Sequence, residues 1–181
     1  MNTLDNILRL AKNDSGLSKI DVKNIPLKRL MDGLRFQFER PNQAFPVSDR
    51  FLQDDGLIEA ASVVLDVNVI EWFVESLLLN AKKYAFTSQG AVVSVAVLNS
   101  ADLAISVSDF GSGIDPAERI SIFKRYSRGK NSDEAPGTGI GLAVVSELLK
   151  LTNASIERVN DSSFGSGACF RITLPDVVTK V

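Results

Sequence analysis

An α+β two-layer sandwich is the fold class this sequence predicts, and three observations predict it. Apolar, largely alternating stretches at residues 91–98 (AVVSVAVL) and 103–107 (LAISV) are separated only by Asn99-Ser100-Ala101-Asp102, a hairpin turn. A long helical pattern follows Asp66 and runs to about Ala85. In it Val69, Ile70, Phe73, Val74, Leu77, Leu78 and Ala81 make a broad apolar face. Helices are mixed with antiparallel-looking strands and do not alternate strictly as βαβ, which points to two layers of the α+β kind.

The remaining elements follow in chain order. Residues 4–11 (LDNILRLA) place Leu4, Ile7, Leu8 and Ala11 on one helical face, and a polar run ending in Gly16 stops that helix. Residues 18–25 read as a short strand. Pro26 suits the first position of a helix, where its missing N–H would have no partner anyway. Leu27, Leu30, Met31 and Leu34 recur at helical spacing, and the segment from Pro41 to Pro46 breaks the pattern. Residues 51–56 are mostly polar and read as loop, and 57–65 as one or two strands. Residues 117–126 read as a short helix. The polar, charged run 127–138 (SRGKNSDEAPGT) reads as a mobile loop. Residues 139–151 form a helix with Leu142, Val145 and Leu149 inward. Residues 155–159 and 168–174 are two closing strands around a turn at 160–167.

Composition narrows the function. A chain of 181 residues fits one domain plus an appendage and can bury most of its apolar surface without staples. The formal net charge of -2 leaves no global basic field, which disfavours a nucleic-acid partner. The lone Cys169 excludes an internal disulfide framework and suits a reducing compartment. No apolar run reaches the ~18 residues of a membrane span, and Met1 opens no basic-then-apolar leader. A cytoplasmic segment without membrane contact is expected. The sequence holds no histidine, which removes His-based acid-base chemistry, Ser-His-Asp triads and His-rich zinc sites together.

The chemistry concentrates where the apolar run 103–107 ends at Asp109, followed by Gly111, Gly113 and Ile114 (DFGSGI). An ionised Asp109 is acceptor-only and can take a hydrogen bond from an exocyclic amine such as adenine N6. The glycines let backbone approach a flat ring closely. Such turns are common at strand ends, so the neighbouring segments decide the reading. These are Asn80-Ala81-Lys82-Lys83-Tyr84 ending the long helix, Ile122 to Arg128 (IFKRYSR), the run GTGIGLAVV from Gly137, and GSGACFRITLP from Gly165. The glycine run lacks the third glycine of a dinucleotide fingerprint, since Leu142 or Val144 stands there, and no strand precedes it. It also lacks the Gly-Lys-Ser/Thr ending of a P-loop. For GSGACF a strand-entry turn explains the residues nearly as well as nucleotide contact.

Taken in order, these segments resemble the ATP-binding catalytic domain of sensor histidine kinases, in the GHKL ATPase superfamily, over residues 21–175. The resemblance implies helices packed on one face of a mixed, mostly antiparallel sheet. It also implies ATP and Mg2+ as cofactors. Asn80 resembles the magnesium-binding asparagine, whose oxygen suits a hard cation. Lys83 resembles the phosphate-contacting lysine and Tyr84 the aromatic over the adenine. Asp109 resembles the aspartate that reads adenine N6, with Gly111, Gly113 and Ile114 lining the same pocket. Phe123 and Tyr126 resemble the family's paired aromatics. Arg128 best fits its arginine position, ahead of Lys124, Arg125 and Lys130. Gly137, Thr138, Gly139, Ile140, Gly141 and Leu142 would cradle the phosphates through backbone N–H groups and a helix N-terminus. Asn80, Lys83 and Arg128 are the implied catalytic residues.

One position departs from the pattern. Four residues before the asparagine the family usually has Asn or Glu, and here Ser76 stands there, with Glu75 beside it. Ser76 acting through its hydroxyl or a water, Glu75 leaning inward, or impaired catalysis are the open readings. The family phosphorylates a histidine on a helical dimerisation domain, which this chain must find elsewhere. Residues 7–16 (ILRLAKNDSG) resemble the end of that domain's second helix. This implies a tail over 1–20 and the ATP-binding domain over 21–181, in a piece of a longer kinase; a separate capping helix is the rival. The implied partners are that histidine-bearing domain, in the parent chain or in trans, and indirectly a response regulator. A membrane anchor elsewhere in the parent is left open. Two alternatives stand beside this reading: a serine-phosphorylating anti-sigma kinase of the same fold, and a docking module without kinase activity.

Overall fold

Two sheets and a helical layer enclose a main apolar core, with a small second cluster at Ala81 and Ala91. The computed structural model describes residues 20–38, 46–51, 55–85, 89–118, 120–124, 141–159 and 167–180. In chain order they form β1 (Lys23–Pro26), α1 (Leu27–Phe38), β2 (Val47–Phe51), α2 (Asp55–Ala60), β3 (Ala61–Leu65), α3 (Val67–Tyr84), β4 (Ala91–Leu98) and β5 (Asp102–Asp109). Two 3-10 turns follow, Pro116–Glu118 and Ser121–Phe123, then α4 (Gly141–Leu151), β6 (Ser155–Val159), β7 (Cys169–Leu174) and β8 (Val178–Lys180). The larger sheet runs β2-β4-β5-β7-β6 and is antiparallel except where β2 meets β4. The smaller is β1-β3-β8, all antiparallel. The α+β class with a mixed, mostly antiparallel sheet is therefore observed.

Register explains the layering. Val93 pairs with Val107 and Val107 with Phe170; Val95 pairs with Ile105 and Ile105 with Ile172. With a side-chain period of two, these residues share one face. They join a single cluster with Leu30 of α1, Phe73, Val74 and Leu77 of α3, and Val145 and Leu149 of α4. Each such side chain, fully buried, contributes about 1.5–3 kcal/mol. The opposite face carries small residues: Ser94, Ala96, Ala104, Ser106 and Ser108.

Local chemistry sets the boundaries. In the β4–β5 turn Asn99 and Ser100 both have positive φ, 49° and 65°, and the Ala101 N–H donates to the Leu98 carbonyl at 3.1 Å. This handedness matches strand twist in a tight hairpin. Residues 57–65 depart from the strand reading: α2 runs to Ala60 and only Ala61–Leu65 is strand. Leu57 and Ile58 are half-buried while Glu59 and Ala60 are exposed, a one-sided turn that a short apolar run does not distinguish from a strand. Over the described residues of the helix expected at 117–126, the two 3-10 turns stand instead. Asp115 takes the Ala117 N–H on Oδ1 and the Glu118 N–H on its carbonyl, closing an i to i+3 turn. Pro26 ends β1, paired with Ser62, one residue before the helix. The expected N-terminal helix at 4–11, the loop 127–138 and the turn at 160–166 lie outside the described residues.

Asp66 ties the helix layer to the small sheet. It is buried, and its Oδ1 accepts from Asn68 N at 2.9 Å and Val69 N at 3.4 Å, capping α3. Its Oδ2 accepts from Asp21 N at 2.6 Å, which fixes the chain entering β1. Asp66→Ala is expected to lower unfolding stability by about 1–2 kcal/mol, read as a lower urea midpoint at unchanged slope. An unchanged midpoint would show that the cap contributes nothing.

Candidate functional site

Three segments distant in sequence meet at the C-terminal end of α3. The helix stops at Ala85, whose N–H still donates to Ala81 at 2.8 Å while its own backbone leaves the helical region. Its last two turns carry Asn80 and Lys83, both half-buried, and Tyr84, which is 45% exposed. Lys83 Nζ lies 4.8 Å from the centre of the Tyr84 ring. Across from this helix end is the loop after β5. A Cβ added at Gly111 would overlap the Cβ of Ala85, so only glycine allows the loop to press so closely on the helix. Gly113 adopts φ 75°, a conformation that favours glycine.

Asp109 ends β5 and is 8% exposed. Its Oδ1 accepts two backbone N–H groups, from Gly111 at 3.0 Å and from Ala168 at 2.9 Å. The strands are joined again by Asp109 N donating to the Ala168 carbonyl at 2.9 Å. Burial pushes the Asp109 carboxyl above its ordinary pKa, and the bonds from Ala168 and Gly111 oppose that rise. Gly167 passes so close that a Cβ on it would overlap the Asp109 carbonyl and Oδ1.

Further along, Ile114, Phe123 and Leu142 are half-buried and pack on the main core. Phe123 meets Phe170 of β7 edge-on, ring centres 6.1 Å apart at 86°. Gly141 opens α4. Thus the Ala85–Gly111 contact sets the end of the helix that carries Asn80, Lys83 and Tyr84 against the loop after Asp109, and Ile114 and Leu142 pack on the main core. Tyr126, Arg128, Gly137, Thr138, Gly139 and Ile140 lie outside the described residues. Ser76, one turn before Asn80, is half-buried, whereas Glu75 is exposed. Glu71, further back on α3, has its carboxyl pushed up by burial and then by Glu75. Sequence reasoning singled out Asp109 but passed over Gly167 and Ala168 as Asp109's neighbours. The glycines of GSGACF were the available signal, and the strand-entry reading concealed it.

The donor set is spare. Among the described residues no group of three or more His, Cys, Asp or Glu could hold a metal ion. A single amide oxygen at Asn80 fits a hard cation that draws its other ligands from phosphate and water. No helix of the described residues is long and apolar enough to cross a membrane. Chemically, the neighbourhood offers a buried acceptor at its rear, an exposed aromatic with a cation over it, and an amide oxygen on the same helix end.

Residues 66–178 match the family described as histidine kinase-, DNA gyrase B-, and HSP90-like ATPase. The chain is similar to sensor protein KdpD of Escherichia coli (strain K12), 28% identical over 172 residues, which are 95% of this chain and 18% of KdpD. It therefore spans under a fifth of that relative's length. Among solved structures, full-length ShkA in complex with AMPPNP superposes with a TM-score of 0.71 at 18% identity, over 98% of this chain and 37% of that one. Histidine kinase ThkA in complex with response regulator protein TrrA superposes with a TM-score of 0.68 at 15% identity, over 96% of this chain and 47% of that one. These two likenesses establish the fold.

The raised Asp109 pKa fixes the sign of a stability effect. The folded chain holds the Asp109 proton to higher pH than the unfolded chain, whose ordinary value is 3.8. Folding stability from this group is therefore lost as pH rises from that value through the folded pKa. Asp109→Asn keeps an oxygen for the two N–H donors and carries no charge. It is expected to be at least as stable as wild type at pH 7, with the difference vanishing below the ordinary carboxylate pKa. Thermal melts across pH 3–7 check this, and a variant less stable at pH 7 than at pH 3, relative to wild type, would contradict it.

Proposed function

Since this chain belongs to the family of histidine kinase-, DNA gyrase B-, and HSP90-like ATPases, we propose that it binds Mg-ATP and passes the γ-phosphoryl group to a histidine on a separate phosphoacceptor domain. The observation that carries this reading is Asp109, a buried carboxylate at a strand end with one oxygen held by backbone and the strand-end loop pressed against the helix bearing Asn80. The free oxygen accepts adenine N6. Guanine would turn its O6 acceptor toward it, and an unpaired buried polar group costs about 1–3 kcal/mol. Tyr84 covers the ring.

Phosphoryl transfer asks for positioning and charge neutralisation more than for covalent chemistry. In this reading Asn80 holds the magnesium, while Lys83 and Arg128 neutralise phosphate charge. The backbone of Gly137, Thr138, Gly139, Ile140 and Gly141 cradles the triphosphate where α4 begins, with Leu142 and Ile114 beside it. Gly113 lets the loop after Asp109 approach the purine, Phe123 and Tyr126 serve as the family's paired aromatics, and Mg-ATP would bind beneath the segment 127–138. The acceptor imidazole attacks the γ-phosphorus as the bond to the β-phosphate oxygen breaks, and ADP leaves. Because the acceptor is itself the nucleophile, this domain needs no general base. The half-buried Ser76 and exposed Glu75 accord with that and speak against a water-activating ATPase.

The chain has no histidine, so the acceptor is supplied by another segment or another chain. Residues 1–20 are read as the tail of that dimerisation domain, placing 21–181 as the catalytic domain of a longer, cytoplasm-facing kinase. A response regulator is the downstream partner, a reading supported by the ThkA–TrrA complex.

Two measurements test the proposal. Calorimetry with Mg-ATP is expected to give binding to wild type and at least about 10-fold weaker binding to Asp109→Asn, from the loss of a charge-assisted hydrogen bond. Equal binding would remove the role of Asp109. Mixing the chain with labelled ATP, magnesium and a histidine phosphoacceptor domain is expected to yield acid-labile phosphate, and Asn80→Ala to slow it about 100-fold. Acid-stable phosphate would indicate the serine kinase instead, and no transfer the docking module.

A further inference from the structure

Asp109 has two carboxylate oxygens, and the structure treats them differently. Oδ1 receives N–H groups from two separate segments, Gly111 on its own loop at 3.0 Å and Ala168 on the turn into β7 at 2.9 Å. Among the described residues Oδ2 receives no hydrogen bond. An aspartate's terminal torsion is broad and roughly two-fold, so an unrestrained carboxylate would offer either oxygen in either direction. Here the Ala168 donor is brought within reach only because its neighbour at 167 has no side chain. A Cβ there would overlap both the Asp109 carbonyl and Oδ1. Any larger residue must push the β7 entry away from β5, and the Ala168 N–H would leave Oδ1 with it.

We propose that Gly167 and Ala168 are positioning residues that set purine selectivity: together they hold Oδ1 of Asp109, so that Oδ2 alone is aimed at the 6-amino group of the bound base. This rests on the reading of Asp109 as the adenine selector and adds the device that makes the selector rigid. A carboxylate pre-organised before the base arrives loses little freedom on binding and is left unpaired by a base without the amine. Both effects sharpen discrimination. A carboxylate free to rotate still accepts a hydrogen bond but turns toward water when the amine is missing, so discrimination falls first.

The test compares ATP with purine riboside triphosphate, which lacks only the 6-amino group, by calorimetry on the full chain. Wild type is expected to prefer ATP by at least about 10-fold. In Gly167→Ala the preference is expected to shrink several-fold toward unity, with affinity for purine riboside triphosphate at or above the wild-type value. A folded Gly167→Ala that keeps the full preference overturns the proposal alone, as does one that loses both ligands equally, since that is general damage to the pocket. A wild type without preference overturns this inference together with the adenine reading. Should Gly167→Ala not fold, the wild type decides by nuclear magnetic resonance. The amide protons of Gly111 and Ala168 are expected to shift with one shared pH midpoint and to stop shifting in Asp109→Asn. Separate midpoints, or an Ala168 amide that does not respond, overturn the proposal.

Discussion

A carboxylate shut away from water at the end of a central strand is costly, and the arrangement around Asp109 is organised by that cost. Burial raises its pKa, and two backbone N–H groups on one oxygen work against the rise. The donors come from the loop after β5 and from the entry to β7, so satisfying this one group fixes the distance between two strand ends. The same loop lies against the last turn of α3 at Gly111 and Ala85. Strand, strand and helix are thereby located with respect to one oxygen atom.

The scaffold behind this group is stiff. Val107, two residues before Asp109, is buried between Val93 and Phe170 in the sheet, and Phe73, Val74 and Leu77 of α3 lie in the same cluster. Close packing of this kind resists displacement, so the polar groups at the strand end and helix end keep their separation. Asp66 performs a comparable task at the other end of α3, where one carboxylate caps the helix and holds the first strand. Asn80, Lys83 and Tyr84 thus lie partly open to solvent at the helix end, while Asp109 lies in the interior.

What was legible from residues alone follows the physics of each signal. The long helix shows because its apolar face repeats over many turns, whereas the capping bonds of Asp66 are seen only in the structure. The β4–β5 hairpin shows because its strands alternate around a short polar turn. α2 did not show, since a half-buried turn of Leu57 and Ile58 carries no period. β8 did not either, because its position is set from afar. Asp176, with φ 55°, donates its N–H to Asp102, and Val178 donates to Ala101, so the hairpin tip steers this strand. Asp109 was legible as a strand-end carboxylate, but its partner Ala168 is 59 residues away and bonds through backbone, which no side-chain motif reveals. The remaining site residues named from resemblance, Tyr126, Arg128, Gly137, Thr138, Gly139 and Ile140, lie outside the described residues, as do residues 1–19.

The most direct measurement is a crystal structure of the chain with magnesium and a non-hydrolysable ATP analogue. The adenine amine is expected about 3 Å from Oδ2 of Asp109 and magnesium about 2.0–2.1 Å from the Asn80 side-chain oxygen, with Oδ1 still bonded to Gly111 and Ala168. A purine bound away from Asp109, or a triphosphate whose metal ignores Asn80, would contradict this arrangement.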